Sequence, residues 1–226
     1  MSIQQLMESL SHQNVPASTL YVIATPIGNI GDISLRALHI LGLADLIACE
    51  DTRTSKQLLS GYGLSSELVS AHKHNEREAA GYLIERLKRG ERIALVSDAG
   101  TPAVSDPGAR IVDAVREAGL NVVPVPGSSA AITALSASGL LDEHFLFYGF
   151  LPTKNAQRKD DLKTLTDTRA TLIFYEAPHR IEETLNALAD IFEPARRIVI
   201  ARELTKLFEE IHRCTMAEVM DWFKSD

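Results

Sequence analysis

Five short apolar runs recur through the first 125 residues, and stretches of helical period separate them. LYVIA (20–24), DLIAC (45–49), ELVSA (67–71), RIALVS (92–97) and NVVPV (121–125) are too short for helices and too continuous for strands with one wet face. Runs of this kind belong to strands covered on both faces, as in a parallel sheet. Between them, Leu35, Leu38 and Leu41 fall at helical spacing after Ser34. The segment from Glu76 to Arg89 places Leu83, Ile84 and Leu87 on one helical face, with Gly90 as its stop. GARIVDAVREAG (108–119) is a further helix, and Ser128 or Ser129 caps AAITALSAS. From about residue 144 the alternation starts again with HFLFYGF, NAQRKDDLKTL, ATLIFYE, PHRIEETLNALADIF, RRIVIAREL, EEIHRCT and AEVMDWF. Strands alternating with helices call for α/β layers. The expected architecture is two α/β domains, a mostly parallel N-terminal sheet and a mixed C-terminal one, with the ligand in the cleft between them. The expected boundaries are a flexible leader over 1–18, a first domain over 19–141 and a second over 142–226.

Composition narrows the class. The chain has 226 residues, 45% hydrophobic and 23% charged, with a net charge of −7, ample for a buried core and ordinary for a folded domain. No apolar stretch approaches the roughly 18 residues of a membrane helix. The first residues lack the charged-then-apolar start of a secretory signal, so a cytoplasmic, membrane-free protein is expected. Cys49 and Cys214 stand far apart, and no His, Cys, Asp or Glu set has ligand spacing, so neither a disulfide framework nor a metal is expected. The acidic balance argues against a protein that coats naked nucleic acid by bulk charge. Lys154, Arg158, Lys159 and Lys163 outnumber Asp160 and Asp161 locally; a solvated helix face is the plain reading of that patch.

The chemistry sits in the loops at strand ends, where open α/β sheets bind ligands. TPIGNIGD (25–32) follows a strand and precedes a helix, and Glu50 or Asp51 lies about 20 residues on. The G-x-G-x-x-G of a dinucleotide turn is absent, and a plain tight turn competes. EDTRTS (50–55) offers two carboxylates, an arginine and three hydroxyls, or else a helix cap. SDAGTPAVSDPG (97–108) is longer than a connector needs, and Asp98 is placed to accept from a ribose or meet a cation. VPVPGSSA (123–130) sets a glycine and two serines at a helix start. FYEAPHR (174–180) and ARELTKLFEE (201–210) add Glu176, His179, Arg180, Arg202, Glu203 and Lys206. Six polar loops at strand ends describe a ligand-binding protein, and residue chemistry alone leaves the ligand open.

Taken together and in order, TPIGNIGD, EDTRTS, SDAGTPAVSDPG, VPGSSA, FYEAPHR and ARELTKLFEE resemble the bacterial rRNA 2′-O-ribose methyltransferases of the tetrapyrrole (corrin/porphyrin) methylase superfamily. The resemblance covers roughly residues 19–212. It implies S-adenosyl-L-methionine as cofactor, a homodimer, and as substrate a cytidine ribose in the decoding region of 16S rRNA in the small ribosomal subunit. By motif, it implies cofactor contacts from Asp98, Thr101, Ala103 and Val104, from Ser128, Ser129 and Ala130, and from Tyr175, Glu176, Glu203 and Leu204. It puts Pro26, Asn29 and Asp32 on the substrate side with Glu50, Asp51 and Arg53. The chain departs from the resemblance at KSD, where relatives continue through another strand and a small helical tail that bears on closure of the second sheet and on part of the RNA contact. A ribose hydroxyl is a poor nucleophile, so a proton acceptor is expected from Asp51, Glu50 or Lys206, with Arg53 anchoring a phosphate. The −7 charge fits action on an assembled, partly protein-covered particle. Two other readings stay open: a C-methyltransferase of tetrapyrrole precursors, and a non-catalytic nucleotide-binding regulatory module. EDTR with FYEAPHR resembles the rRNA branch of the superfamily.

Overall fold

The computed structural model describes residues 3–225. The chain divides into two compact units, Met1–Ser129 and Ala130–Asp226. In the first, β1 (Thr19–Ile23), β2 (Leu46–Cys49), β3 (Glu67–Ser70), β4 (Arg92–Leu95) and β5 (Asn121–Val125) form one sheet in the order β3-β2-β4-β1-β5. Every pairing in it is parallel. The helices are α1 (Ile3–Leu10), α2 (Leu35–Leu43), α3 (Thr52–Gly61), α4 (Glu76–Lys88) and α5 (Ala109–Glu117).

Side chains alternate strictly across this sheet and feed two cores. Leu20, Leu46, Ala48, Ile93 and Leu95 point to one face, where Leu83 and Leu87 of α4 and Ile111 and Val115 of α5 cover them. Tyr21, Ile23, Ile47, Cys49, Ala94 and Val96 point to the other, against Ala37, Ile40 and Leu41 of α2 and Leu59 of α3. Both faces are therefore dry, which explains why these strands read as unbroken apolar runs. The stretch expected as a flexible leader is helical over Ile3–Leu10. Further along the same stretch, Pro16 O accepts from the Tyr21 hydroxyl at 2.8 Å and Val15 O from Arg92 Nε at 2.9 Å.

The second unit holds α6 (Ala130–Ser138), β6 (Phe145–Phe150), α7 (Asn155–Thr164), β7 (Thr171–Tyr175), α8 (Ile181–Ile191), β8 (Arg197–Arg202), β9 (Glu210–Thr215) and α9 (Val219–Ser225). β6 and β7 pair in parallel, with an irregularity between Phe147 and Gly149 where Gly149 takes φ 82°. β8 and β9 pair antiparallel. Both strand directions are present, as expected of a mixed sheet, but among the described residues the two pairs remain separate sheets. Leu151, Leu162, Leu185, Leu188, Phe192 and Val219 form the core of this unit. The helix AAITALSAS groups with it, packing on β7 and β9, so the second compact unit begins at Ala130.

The cations that sequence gathered into a basic patch are dispersed. Arg158 is fully buried. Its Nε donates to Pro152 O at 3.2 Å, and its Nη2 to Thr153 O at 3.1 Å and Glu183 Oε2 at 3.2 Å. Lys159 pairs with Asp190, and Lys163 with Asp160. What remains is the solvated face of the plain reading, plus one buried strut. Among the described residues no helix is long and apolar enough to cross a membrane.

Candidate functional site

Because all five strands of the first sheet run the same way, their carboxyl ends form a single rim. The turns following β1, β2, β4 and β5, each singled out by sequence, meet there. The β1 and β4 turns are joined by a two-way backbone bridge: Thr25 N donates to Gly100 O at 2.9 Å and Gly100 N to Thr25 O at 3.0 Å. The buried Thr25 hydroxyl donates to Ser97 O at 3.2 Å. Thr101 Oγ1 donates to Ser128 O at 3.0 Å, tying the β4 turn to the β5 turn, and Ser128 Oγ donates to Asp32 O at 3.4 Å. Gly127 is required where β5 ends, since a Cβ there would lie 2.9 Å from that of Ala24.

The β4 turn is held in an uncommon conformation. Ala103 and Ser105 take φ of 65° and 62°, in the left-handed region that residues with a Cβ avoid. Such backbone persists only where its surroundings over-determine it, and it clusters at ligand-binding segments. One of those surroundings is Glu76, the first residue of α4. Its buried Oε1 accepts from Gly108 N at 2.7 Å, satisfying the backbone N–H of the glycine that begins α5. Glu76→Ala is expected to cost about 1–3 kcal/mol by leaving that buried donor unmet. It should also speed amide exchange through 98–108, which hydrogen-exchange mass spectrometry would read. Protection unchanged from the wild type would refute this role.

The rim is acidic. Glu50 follows β2, half-buried and with no side-chain hydrogen bond among the described residues. Burial, reinforced by Asp98 and Asp106, pushes its carboxyl up, against a weaker pull from His72. Asp106 is likewise pushed up by burial, against its bond to Ser97 and with the Asp98 charge adding to the shift. Asp51 behaves oppositely. Arg53 donates Nη2 to Asp51 Oδ2 at 2.8 Å and Nε to Oδ1 at 3.2 Å, and the Arg53 backbone N donates to Oδ1 at 2.8 Å. These bonds pull the Asp51 carboxyl down to about 2. Asp51 is thus the α3 cap, and one edge of the exposed Arg53 fork is engaged with it. Asp98 Oδ1 accepts from Asp51 N at 3.2 Å. On the substrate-side loop, Asn29 caps the 3₁₀ turn Ile30–Asp32, Pro26 is half-buried, and Asp32 is exposed. A rim of this composition attracts a cationic ligand, offers carboxylate acceptors to hydroxyls, and carries in Glu50 a base of raised basicity.

The fifth turn on the rim, after β3, was not among the loops singled out. Asn75 organises it: Oδ1 accepts from His72 N at 2.8 Å, and Nδ2 donates to Ser70 O at 3.0 Å. The rule that selected the other four turns, polar residues directly after a buried strand, also applies to AHKHNE.

In the second unit, a cavity of about 1060 Å³ is lined by Ala130, Tyr175, Glu176 and Leu204, among other residues. Tyr175 Oη accepts from Ala131 N at 3.1 Å. The Glu176 carboxylate is engaged inside the unit, accepting from Ala177 N at 2.8 Å and Thr184 Oγ1 at 2.6 Å, with Arg180 Nε at 3.3 Å. Glu203 and Thr205 take φ of 51° and 66°, the same unusual conformation as the β4 turn. Lys206 is paired with Glu203 at 3.1 Å, and His179 is exposed. Among the described residues no group of three or more His, Cys, Asp or Glu is arranged to hold a metal.

The family model for Tetrapyrrole (Corrin/Porphyrin) Methylases matches residues 19–220. The protein of Pseudomonas aeruginosa named Ribosomal RNA small subunit methyltransferase I is 52% identical over 210 residues, 93% of this chain and 74% of that protein. Proteins of the same name from Escherichia coli O157:H7 and Bacillus subtilis are 48% and 49% identical, over 95% and 92% of this chain and 76% and 70% of theirs. Among solved structures, a cobalt precorrin-4 methyltransferase superposes with a TM-score of 0.65 at 18% identity, covering 94% of this chain and 93% of that one. A Thermus thermophilus uroporphyrin-III-C-methyltransferase gives 0.62 at 21%, over 89% and 87%. These two structures share the fold.

Proposed function

The chain belongs to the tetrapyrrole (corrin/porphyrin) methylase family, and from that premise we propose that this methyltransferase uses S-adenosylmethionine to methylate the ribose 2′-oxygen of a cytidine in the decoding region of 16S rRNA, within the small ribosomal subunit. The observation that carries this reading is the roughly one-half identity, over more than nine-tenths of the chain, to proteins named for methylating small-subunit rRNA. Tetrapyrrole methylases share the fold at 18–21% identity, a level at which fold says little of substrate.

The rim's donor set fits the cofactor. Carboxylates from Asp98 and Asp106 complement a sulfonium charge, and the Asp98 oxygen left by Asp51 N is an acceptor for ribose hydroxyls. Backbone from Thr101, Ala103 and Val104, with Ser128, Ser129 and Ala130, supplies further contacts. Tyr175, Glu203 and Leu204 are further cofactor contacts in this reading, and Glu176 contributes by holding the 175–180 turn. When bound, the cofactor supplies an electrophilic methyl, so catalysis by the protein consists mainly of alignment and proton removal. Glu50 accepts the 2′-hydroxyl proton as the oxygen forms its bond to the methyl carbon. The bound cofactor would supply that methyl and would keep the electron pair of the carbon–sulfur bond broken in the transfer. Arg53 and Asp51 act as a pair that orients the acceptor strand, with Pro26, Asn29 and Asp32 beside it. The enzyme acts as a homodimer in the cytoplasm.

The test uses methyl-labelled cofactor and small subunits from cells lacking the enzyme, followed by nucleoside analysis. Label is expected in a 2′-O-methylated cytidine. Label absent from rRNA but transferred to a tetrapyrrole precursor would replace this reading with the carbon-methylating one.

A further inference from the structure

We propose that the β3–α4 turn binds an RNA backbone phosphate through Lys73 and Arg77; the inference rests on the rRNA reading above and adds the groups that hold the strand. Charge distribution along the rim leads to it. The turns after β1, β2 and β4 present Asp32, Glu50, Asp51, Asp98 and Asp106, and the turn after β5 is uncharged. Of the cations at the starts of the helices that follow, Arg53 has an edge of its guanidinium engaged by Asp51, and Arg36 and Arg110 are single charges at the starts of α2 and α5. The turn beside β3 gathers the densest positive charge on this rim. There, His72, Lys73, His74 and Arg77 fall within six residues, and the last three are exposed. Among the described residues neither Lys73 nor Arg77 makes a hydrogen bond or ion pair, and the turn's own acid, Glu76, is buried on Gly108. Glu78 is the remaining exposed acid in the first turn of α4.

The turn is built rather than loose. Asn75 brackets it from both ends, His74 N donates to His72 Nδ1 at 3.3 Å, and the two imidazoles meet edge to face at 6.0 Å. It also adjoins the proposed base. Cys49 and Ser70 are register partners on neighbouring strands, and Ser70 Oγ donates to Glu50 O at 3.3 Å. Adjacent strands lie about 4.8 Å apart, and a ribose 2′-hydroxyl adjoins its own 3′-phosphate. A strand anchored at Lys73 and Arg77 therefore brings that hydroxyl within range of Glu50.

The experiment compares Lys73→Glu, Arg77→Glu and the double variant with Arg116→Glu, an exposed charge reversal in the last turn of α5 at the opposite end of the sheet. Affinity for unmethylated small subunits and for protein-free rRNA is measured across salt concentrations, alongside cofactor binding and circular dichroism. The double variant is expected to bind both at least tenfold more weakly at about 0.1 M salt, with the kinetic loss in KM. Each lost phosphate contact should flatten the slope of log K against log salt by roughly 0.7–0.9. Cofactor affinity stays level, and Arg116→Glu follows the wild type. A double variant with wild-type affinity and slope overturns the proposal. So does a loss confined to intact subunits, which would assign the turn to a ribosomal-protein face. Failure of the wild-type enzyme itself to bind or methylate subunits is a separate result, and it removes the rRNA reading together with this one.

Discussion

Glu50→Gln is expected to slow methyl transfer roughly 10²–10⁴-fold, the usual worth of a positioned proton acceptor, and to leave cofactor binding intact. The amide keeps the shape and loses the basicity. Glu50 is the candidate whose environment raises proton affinity: it is desolvated first, then repelled by Asp98 and Asp106. Asp51 sits at about 2 because Arg53 holds its charged form, so it is a poor base near neutrality. The pH profile separates them. A base works only when deprotonated, so the wild-type single-turnover rate should fall as pH drops through a midpoint above the ordinary glutamate value of about 4.3. Glu50→Gln should lose that limb. Asp51→Asn should retain it with a smaller loss, traceable to a looser Arg53. A Glu50→Gln enzyme as fast as the wild type would remove the residue from the mechanism.

Arg158→Ala is expected to destabilise the second unit by about 2–5 kcal/mol, combining the void left by a large buried side chain with orphaned carbonyls. The guanidinium holds Pro152 O and Thr153 O, while Arg180 Nη2 reaches Leu151 O at 2.8 Å and Pro152 O at 3.3 Å. Two planar cations thus shape the turn after β6. The Glu183 carboxylate is 68% exposed but is the ion-pair partner of a fully buried guanidinium, so Glu183→Ala should cost about 1–3 kcal/mol, less than Arg158→Ala. Arg158→Lys should rescue little, because one ammonium cannot reproduce the fork. Urea unfolding would show a lowered midpoint at unchanged slope. An Arg158→Ala midpoint equal to that of Glu183→Ala would show that the carbonyl contacts contribute nothing.

Strands were legible in the sequence because burial on both faces leaves unbroken apolar runs, and the turns at their ends were legible because they interrupt those runs with polar groups. The boundary was not. AAITALSAS is small and apolar on every side, so nothing in its pattern says which unit it packs against; Tyr175, 44 residues on, helps to decide. Arg158 looked like its neighbours Lys154, Lys159 and Lys163, and only the convergence of 152–153 and Glu183 on it reveals a strut. The Glu76–Gly108 bond joins residues 32 apart and leaves no local mark. At the site, the Asp51–Arg53 pairing lies within a helix cap and was half visible. The raised basicity of Glu50 depends on Asp98 and Asp106 arriving from another strand.

The strand order β3-β2-β4-β1-β5 also sets a timetable for synthesis. β1 is made early, yet its partners are β4 and β5, and about 70 residues separate its end from the start of β4. At translation rates of about 5–20 residues per second, Leu20, Tyr21 and Ile23 wait roughly 4–14 seconds without the neighbours that will bury them. β2 and β3 can pair meanwhile, β4 then joins them to β1, and the edge strand β5 is added last. The nascent chain therefore passes through a long interval as an open, apolar half-sheet. That interval, more than the marginal free energy of the finished fold, is where chaperones would find it.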